Sequence, residues 1–179
     1  MGKRPAHCYT KIRGPANTRT KKYVRGFAGS KIVMFDMGNK SKDFEVEMHL
    51  IGLEACQIRH MALEASRQVV NRVLSKRLNR DDYHFRIRVH PHHVLRENKM
   101  MAFAGADRMQ DGMRRSFGKP TDRSARVVAG QEILTVRINV KNYFLAKSAL
   151  QKSISKLPTP CKIVVGKGDE LVKNLTLSR

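Results

Sequence analysis

The residues able to do chemistry by themselves are few, and their spacing suits catalysis poorly. His90-Pro91-His92-His93 brings imidazoles together as a metal site would, but no CxxC or HxxxH partner accompanies them. The chain is therefore expected to hold no metal, with these histidines near phosphate or along a polar strand edge. Cys8, Cys56 and Cys161 are far apart and not at ligand spacing, and their odd number argues for free thiols in a reducing compartment. Cys8 beside His7 is the nearest thing to a nucleophile with a base, yet it lies in a segment without regular structure, and no GxSxG occurs. Gly166-Lys167-Gly168 shares letters with a phosphate loop but lacks the full Gly-x4-Gly-Lys-Ser/Thr pattern, and GxGxxG is absent. Asp107 and Asp111 lie four apart inside a basic stretch, where charge balance explains them more simply than acid–base work. Gly26 and Gly29 match a GxxG loop without the preceding helix of a KH domain, and the aromatic strand motif of an RRM is missing. No catalytic residue and no cofactor can be nominated, so the chain is expected not to be an enzyme and to have no small-molecule substrate.

Charge is the stronger signal. Lys and Arg number 36 against 15 Asp and Glu, a formal net charge of +21 on 179 residues. A compact chain of this length has a radius of gyration of roughly 16 Å, and so much like charge on one small body favours association with a polyanion. Nucleic acid offers dense phosphates to many cations at once. An anionic membrane ranks behind it: the basic helix over residues 54–77 has an apolar stripe mainly of Ala, Val and Met, and the chain has no Trp. No run approaches the roughly 20 apolar residues that span a bilayer, and the N-terminus lacks an apolar signal stretch. A soluble intracellular protein is expected.

The elements that must position these cations fall into a basic arm and one domain. Residues 1–28 carry Lys3, Arg4, Lys11, Arg13, Arg19, Lys21, Lys22 and Arg25 and no acidic residue, with Pro5, Gly14, Pro15 and Gly26 as breaks. This reads as an extended arm that orders on a polyanion. Residues 29–179 read as a single domain. Lys31 to Asp36 is consistent with a strand, and Phe44, Val46, Met48 and Leu50 alternate with polar residues as in a half-buried strand. From Glu54 to about Arg77 the apolar residues recur at helical spacing, predicting a helix of roughly 36 Å. His84 to His90 alternates cleanly, with Phe85, Ile87 and Val89 on one face and His84, Arg86, Arg88 and His90 on the other. Arg86 and Arg88 either pair across strands with Glu45 and Glu47 or present to phosphate, for which the guanidinium fork is well suited.

Residues 96–126 sustain neither period and are broken by Gly105, Gly112, Gly118 and Pro120. They hold eight basic residues (Arg96, Lys99, Arg108, Arg114, Arg115, Lys119, Arg123 and Arg126) against four acidic ones, which predicts a long functional loop. Strands are predicted at Ser124–Val128, Glu132–Val140 and Cys161–Val165, and a second helix after Asn142 as N-cap. Gly166 to Arg179 reads as a tail. The class expected is α+β: a two-layer sandwich with a mixed sheet and two main helices. An RNA-processing enzyme using the 96–126 stretch as a lid, and a stand-alone RNA chaperone, are the alternatives to a structural RNA-binding role.

Several motifs together carry a family resemblance over almost the whole chain. Arg4-Pro5 through Tyr9, Phe35-Asp36-Met37-Gly38, and above all the run from Ala104 to Arg114 (AGADRMQDGMR) with Phe117-Gly118-Lys119-Pro120 resemble the large-subunit ribosomal protein family called L-ten-e in archaea and eukaryotes, with L-sixteen as its bacterial relative. The short C-terminal tail resembles the archaeal members. The resemblance implies an α+β sandwich with a hammerhead-like strand arrangement, located in the cytoplasm within the large ribosomal subunit. It implies binding to large-subunit rRNA near the aminoacyl-tRNA site, with neighbouring ribosomal proteins as further partners and no membrane. The loop at about 100–120 would point, as a flexible basic segment, toward the tRNA acceptor arm, a transient partner, and the peptidyl-transferase region. Arg108, Arg114, Arg115 and Lys119 would be its RNA-facing cations. Lys3, Arg4, Lys11, Arg13, Arg19, Lys21, Lys22, Arg25, Arg86 and Arg88 are the expected rRNA-binding residues.

Overall fold

A computed structural model describes residues 4–18, 24, 26, 28–98 and 112–177. Its eight strands and three helices follow one another as β1 (Asp36–Gly38), β2 (Val46–Gly52), β3 (Cys56–Arg59), α1 (His60–Ser75), β4 (Tyr83–Ile87), β5 (His93–Glu97), β6 (Lys119–Val127), β7 (Glu132–Ile138), α2 (Tyr143–Ile154), β8 (Cys161–Lys167) and α3 (Asp169–Leu177).

The alternation in β2 works as the period-2 rule requires. Val46, Met48 and Leu50 are fully buried, and they meet Phe85 and Ile87 of β4 and Leu134, Val136 and Ile138 of β7 in one core. These strands lie in a five-stranded sheet of order β1-β4-β7-β2-β8, and β3-β6-β5 form a second, three-stranded sheet. Helices α1 and α2 pack side by side and cover the first sheet. Leu63, Val70 and Leu74 of α1 supply its apolar stripe, while Ser66, Ala146, Ala149 and Ser153 keep the buried helix surfaces small. The two buried serines return their hydroxyls to their own helices, Ser66 to the Ala62 carbonyl and Ser153 to the Leu150 carbonyl, so neither is left unsatisfied. No helix among the described residues is long and apolar enough to cross a membrane.

The α+β class is as expected, with corrections. Each strand pairing is antiparallel, not mixed. The described residues hold three helices, because part of the expected tail is α3, opened by Asp169 and Glu170 in its first turn and docked by buried Val172. The predicted helix from Glu54 begins only at His60 and spans about 24 Å over its 16 residues. Cys56–Arg59 pairs with β6 as a strand instead, a segment too short for periodicity to discriminate. The predicted 96–126 loop is narrower, since β5 runs to Glu97 and β6 begins at Lys119. Pro120 is accommodated where the β5–β6 register shifts, at which no ladder N–H is demanded of it. Only Asp36 of the predicted Lys31–Asp36 strand is in β1, and Val33 and Met34 are exposed. His84 is buried and does not share an exposed face with Arg86. Asn142 does precede α2, but its side chain makes no cap hydrogen bond.

Candidate nucleic-acid interface

The described part of the arm lies across the three-stranded sheet and is held through its backbone. From β3, the Gln57 amide donates to the Thr10 carbonyl at 2.8 Å. The Gln57 side-chain amide donates to the carbonyls of Tyr9 at 3.1 Å and Lys11 at 2.7 Å. From β6, the Arg126 guanidinium donates to the carbonyls of Arg13, Gly14 and Pro15 at 3.3, 2.7 and 3.2 Å. From β5, the Val94 amide donates to the Asn17 carbonyl at 3.1 Å, and the Asn17 amide donates to Nδ1 of His93 at 2.9 Å. The Arg59 guanidinium reaches the Arg4 carbonyl at 3.1 Å and lies 5.6 Å over the Tyr9 ring.

This mode of attachment has an electrostatic consequence. Arg4, Lys11 and Arg13 are exposed and make no ion pair among the described residues. The body takes up carbonyls of the arm and leaves these three cations facing solvent, an arrangement open to an anion such as phosphate. Lys3, Arg19, Lys21, Lys22 and Arg25 lie outside the described residues, as does Arg108.

His93 is buried against the arm, and burial, reinforced by Arg126, His92 and Arg96, pushes its imidazole down to about 4. An unfolded chain takes up that proton near 6.5, the folded one only near 4. The contribution is therefore complete above about pH 6.5 and is lost as pH falls toward 4, up to about 3 kcal/mol. Urea titrations at pH 7.5 and 4.5 should show this slope, and H93N should flatten it; an unchanged slope in H93N would assign the acid sensitivity elsewhere. His90 instead contacts the Phe35 ring at 5.2 Å, and His92 bonds the His90 carbonyl at 3.0 Å, so the histidine string does not converge. Burial raises the thiols of Cys56 and Cys161, the latter to about 11, away from nucleophilic use.

At the base of the loop, Arg114 and Arg115 are exposed without ion pairs among the described residues, beside Met113 and Phe117, which are 84% and 83% exposed. Lys119 is exposed at the start of β6. Gly118 closes the turn by donating to the Arg115 carbonyl at 2.8 Å.

The strand arginines are more engaged. Arg88 lies 3.2 Å from Glu132 and 3.5 Å from Glu47 and donates to the Thr135 hydroxyl at 3.0 Å. Arg137 shares Glu47 at 3.1 Å. Arg86 is 3.7 Å from Asp36, its register partner on β1, not from Glu45 or Glu47. Glu45 accepts the Val140 amide instead. Burial works against ionisation of Asp36, but Lys40 and Arg86 hold its carboxyl below the usual range.

Two groupings escaped the residue-by-residue reading. Asp122, one of the four acidic residues of the 96–126 stretch, is buried between Arg59 and His60. Arg72, Lys76, Arg77 and Lys152 meet around a groove between α1 and α2.

Comparison with known proteins accords with these features. The family model described as ribosomal protein L16p/L10e matches residues 12–164. The chain is 51% identical to large ribosomal subunit protein uL16 of Methanococcus aeolicus over 97% of its own length and 100% of that protein's. It is 50% identical to the same-named protein of Picrophilus torridus over 98% and 99% of the two chains. For that of Staphylothermus marinus the figures are 51%, 92% and 94%. A match that includes the arm's anchor points, both sheets and the loop stem leaves one conclusion: the chain belongs to the ribosomal protein L16p/L10e family.

Proposed function

We propose that this chain is a structural constituent of the large ribosomal subunit in the cytoplasm, and that it binds large-subunit rRNA through its arm and loop. The observation that carries the reading is the arm fastened by its carbonyls with Arg4, Lys11 and Arg13 turned to solvent. The family and the names of its full-length relatives support the subunit. The chain acts by shaping RNA and performs no reaction. The finer placement has the loop cations Arg108, Arg114, Arg115 and Lys119 approach the tRNA acceptor arm near the aminoacyl and peptidyl-transferase sites. Exposed Phe117 is suited to stack on an unpaired base there. Lys3, Arg19, Lys21, Lys22 and Arg25 extend the rRNA contact, while Arg86 has the freer head of the two strand arginines.

Two measurements test this. The protein should co-sediment with large subunits after a high-salt wash; recovery with small subunits alone would overturn the assignment. Affinity for purified large-subunit rRNA should fall about a thousandfold between roughly 50 and 200 mM salt if about six phosphates are neutralised. Binding indifferent to salt would remove the phosphate-contact reading.

A further inference from the structure

We infer that the groove between the C-terminal end of α1 and the N-terminal end of α2 is a second RNA-binding site, taking a sugar-phosphate segment with one base or ribose on its floor. The inference rests on the RNA-binding reading above and adds to it a separate place of contact.

The groove has a volume of about 370 Å³ and is lined by Arg72, Val73, Lys76, Arg77, Phe144, Leu145, Ser148 and Lys152. Its cations surround a floor of Val73, Phe144 and Leu145, and no acidic residue lines it. All four cations are exposed, and none makes an ion pair or side-chain hydrogen bond among the described residues. That contrasts with the outer sheet face, where Arg88 and Arg137 have Glu47 and Glu132. Arg72 and Lys76 stand four apart on one helix face, a like-charge pair that slightly destabilises a helix with no counter-ion. Helix α2 begins in the same place with no acidic residue in its first turn, so nothing in that turn offsets the cations of the groove.

A purely structural role would need acidic partners, and among the described residues these four cations have none. A groove with separated cations around an apolar, partly aromatic floor matches the alternation of phosphate and base along an RNA strand. An acidic peptide offers charge without the flat apolar face. The arm occupies the other end of the same helix pair, near Met61 and Ala62, where Arg4 and Arg59 line a cavity with Ser155 to Pro158. From Met61 to Lys76 is about 22 Å along the helix axis, too far for one phosphate to serve both ends.

The test uses the full chain and purified large-subunit rRNA. Ultraviolet crosslinking followed by mass spectrometry should find RNA adducts on tryptic peptides that contain Phe144 or Val73. The double variant R72Q/K152Q should weaken binding about tenfold or more at 100 mM salt and reduce the salt slope by about two. The arm variant R4Q/K11Q/R13Q should weaken binding independently while leaving the groove adducts in place. Loss of slope in both variants, with groove adducts in the unmutated chain, is the expected result. An arm variant that weakens binding beside an unaffected R72Q/K152Q, with no groove adducts, would overturn the groove site alone. No salt-dependent binding by the unmutated chain would overturn the underlying reading with it. Binding of phosphatidylglycerol vesicles or polyglutamate that R72Q/K152Q abolishes, with rRNA binding intact, would reassign the groove. Both sets change exposed side chains, and unchanged melting temperatures will show that the fold is retained.

Discussion

Replacing Asp122 with alanine is expected to cost about 3–5 kcal/mol of unfolding free energy, because it strands two buried partners. Asp122 is 3% exposed on β6, the middle strand of the three-stranded sheet. One carboxylate oxygen accepts from the Arg59 guanidinium, and the other bonds Nε2 of His60 at 3.0 Å. Nδ1 of His60 accepts the Lys31 amide at 2.7 Å, so the ring proton must lie on Nε2 and point to Asp122. Arg59 in turn carries the Arg4 carbonyl. One carboxylate thus joins β6, β3, the start of α1, the segment at Lys31 and the arm. Alanine removes the carboxylate that, among the described residues, pairs with the largely buried Arg59 guanidinium. D122N should recover part of the loss, since the amide oxygen still accepts from one partner while the charge is gone. Urea denaturation of the three chains at neutral pH decides it: a D122A chain within about 1 kcal/mol of the unmutated protein would show that the cluster is solvated or dispensable.

The second large effect is expected at Gly118, where alanine should destabilise the stem of the basic loop by about 2–4 kcal/mol. Its φ is +88°, a region L side chains rarely adopt, and an added Cβ would sit 2.7 Å from the Glu97 nitrogen and 2.9 Å from the Asn98 nitrogen. Those are backbone atoms at the end of β5, so the clash can be relieved only by opening the β5–β6 stem. Gly112 is the internal comparison, with a φ of +56° and no atom of the described residues within 4 Å of the added carbon. G112A should cost only the backbone term, about 1–2 kcal/mol at most. Amide exchange in β5 and β6 should accelerate in G118A and change little in G112A. Equal protection in the two variants would mean that the close approach does not hold the stem shut.

How much of this was legible follows from the range of the forces involved. Val46, Met48 and Leu50 announced β2, and Leu134, Val136 and Ile138 announced β7, because a long strand with one buried face writes its period into the chain. The small strands β3 and β5 left no such trace. Cys56–Arg59 has four residues, and Gln57 is buried among them for a reason no local pattern contains: its amide serves the carbonyls of Tyr9 and Lys11. His93–Glu97 follows Pro91 and a histidine string, and becomes a strand only through pairing with β6. Helix α3 was missed because nine residues give periodicity little room. At the candidate site, the positions of the cations were visible and their partners were not. Arg88 and Arg4 are the same residue type in equally basic surroundings, yet Arg88 lies between two glutamates and Arg4 faces water.

The chain's charge of +21, its acid-free first 28 residues and its glycine-broken loop motif are properties of the sequence alone. They sufficed to propose a polyanion as partner and, through the motifs, to identify the family, because net charge and a long contiguous motif survive any folding. Which cations lack an acidic partner was decided only by tertiary structure. The arm is held through its carbonyls, and Arg4, Lys11 and Arg13 make no ion pair among the described residues. The strand arginines found acids on neighbouring strands. The groove joins residues 72–77 of one helix to 144–152 of another, a meeting that exists because the small buried faces of α1 and α2 pack together. An ion pair or a cation cluster depends on distances of a few ångströms between groups far apart in the chain, and folding alone sets those distances.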